Sequence, residues 1–166
     1  DKANGGGRLS ASEIASEARR LSFCESSASL NVKWVVLTGG EPLLQADFAL
    51  VDQLWSKGFS VAVETNGSIR LEKAFGFRYN WPEHICVSPK PPLPVVIEHA
   101  DEVKVLVPLY DPVPFEDIPA DHRFVSPVWD DDEATRRLNN KSAAEFVIRS
   151  PKWKLTTQMH KYVGIP

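Results

Sequence analysis

Cysteine is almost missing from this chain, which has only Cys24 and Cys86 among its 166 residues. They stand too far apart in sequence for a local metal knuckle, and two thiols make no disulfide framework, so a reducing, cytoplasmic setting is expected. Methionine is scarcer still: Met159 is the only one, and the chain opens on Asp1. A natural translation product starts with Met, so the sequence reads as processed, engineered or a fragment of a longer reading frame. No apolar run approaches the roughly 18 to 20 residues of a membrane-spanning helix, and no signal-peptide pattern opens the chain. A membrane partner is therefore not expected. The net charge of -3 offers no basic footprint, which argues against a nucleic-acid partner. No repeat or low-complexity segment is evident. What is present is the composition of a packed domain, with 43% hydrophobic and 25% charged residues. That is enough to bury a sizeable core, and residues 1–166 read as one domain.

The most informative stretch is Val35-Val36-Leu37-Thr38-Gly39-Gly40-Glu41-Pro42. An apolar run that stops at two glycines reads as a buried strand whose C-terminal end meets a loop. Strand ends of this kind hold the ligands of α/β sheets. Backbone N–H groups at Gly39 and Gly40 can approach a small polar ligand, and Glu41 supplies an acceptor for an ammonium or hydroxyl group. A tight turn alone would also explain the glycine pair. Two further segments end in the same way. Phe59-Ser60-Val61-Ala62-Val63 runs into Glu64-Thr65-Asn66-Gly67, and Ile85-Cys86-Val87 runs into Ser88-Pro89-Lys90.

The remaining pattern predicts a helix over Leu9 to Leu21, capped by Ser10 or Ser12 ahead of Glu13, with Ile14, Ala18 and Leu21 on its apolar side. A second helix is predicted from about Gln45 to Lys57, with Phe48, Val51, Leu54 and Trp55 on one side and Gly58 closing it. Strands are expected at Ser60 to Glu64, Ile85 to Val87, Val103 to Val107 and Phe124 to Val125. Proline-rich loops are expected at Pro89 to Pro94 and Pro108 to Pro119. Asp130-Asp131-Asp132-Glu133 reads as the acidic start of a helix reaching Val147 or Ile148. Its carboxylates are more simply partners of the helix dipole than metal ligands. The βα alternation suits a parallel sheet, and hence the α/β class.

Taken together, the Gly-Gly-Glu-Pro segment and the other strand ends resemble the radical S-adenosylmethionine (SAM) enzymes. Within them the chain most resembles the 7-carboxy-7-deazaguanine synthase family of queuosine-precursor biosynthesis. The likeness rests on Thr38-Gly-Gly-Glu-Pro-Leu-Leu-Gln45, Val63-Glu-Thr-Asn-Gly67, Val87-Ser-Pro-Lys90 and Trp153-Lys-Leu-Thr-Thr-Gln-Met-His-Lys161, with Gly164-Ile-Pro166 at the end. It runs in order from Gly5-Gly6-Gly7 to the last residue. The fold it implies is an incomplete radical SAM, partial TIM-type βα barrel with a mostly parallel sheet, lacking its first strand and the cluster loop.

The resemblance implies that Thr38, His160 and the carboxylate of Pro166 meet the pterin substrate. It implies SAM contacts at Gly40 and Glu41, at Glu64 and Asn66, at Ser88, Pro89 and Lys90, and at Ser126 and Pro127. A bland reading stands beside each: Thr38 as a turn cap, Glu64 as a solvated strand end, Lys90 as a surface lysine, His160 as a buried strand histidine. Their joint occurrence is the argument. Around Phe124-Val125-Ser126-Pro127-Val128-Trp129 the family pattern is altered at Ser126, Val128 and Trp129, leaving Trp129 open between stacking on adenine and a core role.

The implied reaction is the radical ring contraction of 6-carboxy-5,6,7,8-tetrahydropterin to 7-carboxy-7-deazaguanine, with a 4Fe-4S cluster and Mg2+ as further cofactors. A cluster of this kind needs three cysteines, and this chain has only two, neither in the motif. The expectation is that the chain as given does not turn over. Loss of a first strand would also open a sheet edge, from which weak stability or self-association, such as a homodimer, is expected. The alternatives left open are a non-catalytic SAM- or pterin-binding domain and another radical SAM enzyme such as a glycyl-radical activase.

Overall fold

In a computed structural model of the chain, residues 7–22 and 32–165 are described. They form two compact units. One holds the described residues up to Glu64 together with Ile69–His84; the other holds Thr65–Ser68 and the described residues from Ile85 onward.

In the first unit, α1 (Ala11–Leu21) starts at the capping box expected from the sequence. Ser10 Oγ accepts from the Glu13 N–H at 3.3 Å, and the Glu13 carboxylate accepts from the Ser10 N–H at 2.7 Å. Ala15, Ala18 and Ser22, spaced three and four apart, make the inward stripe. Leu21, expected on that stripe, lies well round the helix from Ala15 and is 67% exposed.

The second helix begins later than predicted. Glu41 caps a short 3-10 turn over Pro42–Leu44, and only then does Asp47 cap α2 (Phe48–Ser56), its side chain accepting from the Leu50 N–H at 2.9 Å. The Asp47 cap sets the start of the helix at Phe48 rather than at the expected Gln45. Val51 and Leu54 carry the buried stripe, and Gly58, at φ +84°, closes the helix as expected.

Strand β1 (Trp34–Leu37) pairs in parallel with β2 (Ser60–Thr65), with Trp34 opposite Ser60 and Leu37 opposite Val63. The expectation of a buried first strand is corrected: Trp34 is 50% and Val36 52% exposed. Exposed Trp34 and Val36 alternate along β1 with half-buried Val35 and Leu37, so one face of the strand stays open. A short α3 (Leu71–Phe75), absent from the sequence reading, buries Leu71 and Phe75.

The second unit is a parallel arrangement of β3 (His84–Val87, from Ile85 on), β4 (Ala100–Val107), β5 (Ala120–Pro127) and β6 (Lys154–Leu155). Cys86 pairs with Glu102, Ala100 through Val107 run alongside Ala120 through Pro127, and Phe124 pairs with Lys154. β4 and β5 are longer than the expected Val103–Val107 and Phe124–Val125, because their first turns of chain carry polar residues that mask the strand signal. Asp101 uses its carboxylate, accepting from the Ile85 N–H at 2.6 Å. Val87, Val103, Val105 and Val125 are fully buried, and Trp153 is 1% exposed. Helix α4 (Glu133–Arg149) starts where Asp132 accepts from the Thr135 N–H at 2.8 Å, matching the acidic start read from the sequence. A four-residue α5 (Met159–Tyr162) ends the described chain.

Among the described residues no helix is long and apolar enough to cross a membrane.

Candidate active site

Each expected SAM segment stands at the C-terminal end of a parallel strand. Thr38, Gly39 and Gly40 follow β1 directly and are exposed. Gly39 has φ +128°, a backbone that side chains disfavour. At Gly40 a Cβ would meet nothing within 4 Å, so the peptide there is open to close approach. Glu41 is half-buried, and its Oε1 accepts from the Leu43 N–H at 3.1 Å. The carboxylate is thereby fixed at the mouth of the strand.

Glu64 is exposed near the end of β2. In the second unit, Thr65 is 1% exposed and its Oγ1 accepts from the Gly67 N–H at 3.0 Å, while Asn66 Oδ1 accepts from the Ser68 N–H at 2.8 Å. These two local bonds shape the turn that presents Asn66. Gly67 is required for both reasons a glycine can be: its φ is +82°, and a Cβ would stand 2.8 Å from Val87 Cγ1. The Ser88 N–H donates to the Thr65 carbonyl at 2.7 Å, which joins the β3 segment to this turn. Pro89 is fully buried, and Ser88 and Lys90 are half-buried.

At the end of β5, Ser126 is 3% exposed and Pro127 is buried. The Val128 N–H donates to the Val107 carbonyl at 2.9 Å, and buried Asn139 donates from Nδ2 to the Val128 carbonyl at 2.9 Å. Ser126 can therefore offer little beyond its backbone to a ligand. Trp129 is half-buried, and its ring is occupied by protein neighbours rather than sunk in the core.

His160 lies on α5 and is exposed, so the alternative of a buried strand histidine is corrected. Pro166, Cys24, Gly5 and Gly6 lie outside the described residues. Gln158 Oε1 is buried without a hydrogen-bond partner among the described atoms, an acceptor within the C-terminal motif to which the sequence reading gave no role.

Sequence reasoning also missed the supports behind these segments. Arg123 donates to the carbonyls of Glu116, Ile118 and Ala120 at 3.1, 2.7 and 3.0 Å, pinning the loop that precedes β5. Glu116 accepts from Lys152 Nζ at 3.1 Å and Trp153 Nε1 at 3.2 Å, and these donors hold its carboxyl below the usual carboxylate range. No local sequence signal links residues so far apart. Of the acidic run, Asp130 accepts from the Asp132 N–H, Asp131 from Trp129 Nε1, and Asp132 from Thr135. No group of three His, Cys, Asp or Glu able to hold a metal ion occurs among the described residues.

A scan against models of protein families finds no match for the chain. Among curated proteins, the 7-carboxy-7-deazaguanine synthase of Bordetella pertussis is 40% identical over 136 residues, covering 81% of this chain and 60% of that protein. The 7-carboxy-7-deazaguanine synthase of Caulobacter vibrioides is 33% identical, covering 100% of this chain and 73% of the relative. This chain belongs to the 7-carboxy-7-deazaguanine synthase family. It spans about 60% of the length of the Bordetella pertussis and Burkholderia multivorans family members. Among solved structures, that of QueE from Escherichia coli aligns with a TM-score of 0.59 at 24% identity, covering 90% of this chain and 64% of that one. That likeness shows the fold, and the α/β partial-barrel class expected from the sequence is borne out.

Proposed function

We propose that this chain carries the SAM- and pterin-recognition residues of a 7-carboxy-7-deazaguanine synthase, acting in the conversion of 6-carboxy-5,6,7,8-tetrahydropterin to 7-carboxy-7-deazaguanine. The observation that carries the reading is placement. The segments after β1, β2 and β3, and the last residues of β5, are those the family motifs assign to ligand, and each falls at the C-terminal end of its own strand. In this reading Thr38 and His160 face the pterin. Gly40, Glu41, Glu64, Asn66, Ser88, Pro89, Lys90, Ser126 and Pro127 face SAM.

The residues suit SAM. Glu41 brings a carboxylate acceptor suited to the methionine ammonium; the open Gly40 peptide offers its N–H; Lys90 brings a cation to the end of its strand. Bound SAM would supply the radical that starts the rearrangement. The 4Fe-4S cluster does not fit these residues. Cys86 is 2% exposed with its Sγ 3.3 Å from Glu102 Oε1, and Cys24 is the only other thiol. Among the described residues no group of three His, Cys, Asp or Glu offers Mg2+ a ligand set. The chain by itself is therefore a ligand-binding body without turnover.

The test is calorimetric titration with the tetrahydropterin, alongside incubation with iron, sulfide and reductant. The reading expects saturable pterin binding that His160→Ala weakens, and neither cluster absorbance nor product. Absence of pterin binding refutes the substrate assignment; a formed cluster with turnover refutes the assignment of the chain as cluster-free.

A further inference from the structure

We infer that Trp129 is a positioning residue: an aromatic clamp centred on its indole ties α5, which carries His160, to the turn after β5, which carries Ser126 and Pro127. The inference rests on the reading of His160 as substrate-facing, and it names what sets its position. A four-residue helix has no stability of its own, so its placement must come from tertiary contacts. Apolar burial does not supply them. Met159 is 63%, Val163 61% and Ile165 59% exposed.

Two side chains of the helix meet one ring. Tyr162 packs edge-on against Trp129, centroids 5.1 Å apart at 87°, and Lys161 Nζ stands 5.4 Å from the same ring. Tyr162 Oη also exchanges hydrogen bonds with Asn140 of α4, at 3.0 and 3.2 Å. Trp129 is held in its turn. Its Nε1 donates to Asp131 Oδ1 at 3.1 Å, Arg136 lies 4.9 Å over the ring, and Arg136 Nη1 donates to the Asp130 carbonyl at 2.9 Å. From α5 the order passes to the tail, because the Ile165 N–H donates to the His160 carbonyl at 2.9 Å.

The experiment is amide hydrogen exchange on the full chain, with Trp129→Ala, Trp129→Phe and Tyr162→Phe, paired with pterin titration. Trp129→Ala should speed exchange at Val163 and Ile165 about tenfold and weaken pterin binding about tenfold, with Val103 and Val105 of β4 unchanged. Trp129→Phe should recover most of both, since it keeps a ring for Tyr162 and Lys161. Tyr162→Phe should change them less than Trp129→Ala. Unchanged exchange at 163 and 165, or equal loosening of β4, overturns the clamp. Faster exchange with unaltered pterin affinity overturns its role in substrate positioning. If the unaltered chain binds no pterin, the functional reading falls while the exchange data still decide the clamp.

Discussion

Replacing Gly67 with alanine probes the turn that presents Asn66, and the structure gives the size of the effect. Gly67 has φ +82°, and holding a non-glycine residue there costs about 1–3 kcal/mol. The added methyl would stand 2.8 Å from Val87 Cγ1 and 3.0 Å from Val95 Cγ1, both on branched side chains with little freedom to retreat. Overpacking of that kind costs about 1–3 kcal/mol more. The sum, about 2–6 kcal/mol, corresponds to a fall in Tm of roughly 4–24 °C for a chain of this length. Gly58 is the control. Its φ is +84°, yet a Cβ there meets nothing within 4 Å, so Gly58→Ala carries the backbone cost alone. Differential scanning calorimetry of the two variants separates strain from collision. If Gly67→Ala lowers Tm no more than Gly58→Ala, the packing argument at the turn is wrong.

Arg123→Lys should destabilise, because one ammonium cannot serve the three carbonyls that the guanidinium spans; about 1–3 kcal/mol is expected in urea unfolding. Stability should fall in acid. Glu116, Asp132 and Glu13 all titrate below their ordinary values in the folded chain, through donors on Lys152, Thr135 and Ser10 respectively. A depressed folded value means the stabilisation is complete above the unfolded carboxylate range near pH ~4 and is lost as pH drops through the folded values. Glu116→Gln should flatten that acid limb, and an unchanged limb would remove Glu116 from the account. Trp153→Ala, emptying a site that is 1% exposed, should cost about 3–5 kcal/mol by the same unfolding assay.

The strand ends were the legible part of this molecule. Val35-Val36-Leu37 before two glycines, and Ser60 to Val63 before Glu64, announce a strand and its exit through local chemistry, and the structure puts both where the pattern does. So does the Ser10–Glu13 capping box, a signal contained in four consecutive residues. Burial was less legible. β1 reads as a core strand because its residues are apolar, but burial depends on what covers them, and Trp34 and Val36 are half exposed. Short elements escaped notice for lack of periods to count: β6 has two residues and α5 four. The supports behind the site were invisible because they join distant positions. Trp129 with Tyr162 and Glu116 with Lys152 are pairings that only the folded chain makes.

The most direct test of the central claim is a calorimetric titration of SAM into the chain and into its Glu41→Ala variant. Saturable SAM binding is expected, weakened about 10- to 100-fold by Glu41→Ala, as fits the loss of a charge-assisted hydrogen bond to the ammonium. No SAM binding, or equal affinity in the two proteins, would contradict the assignment of the Gly40–Glu41 segment to SAM.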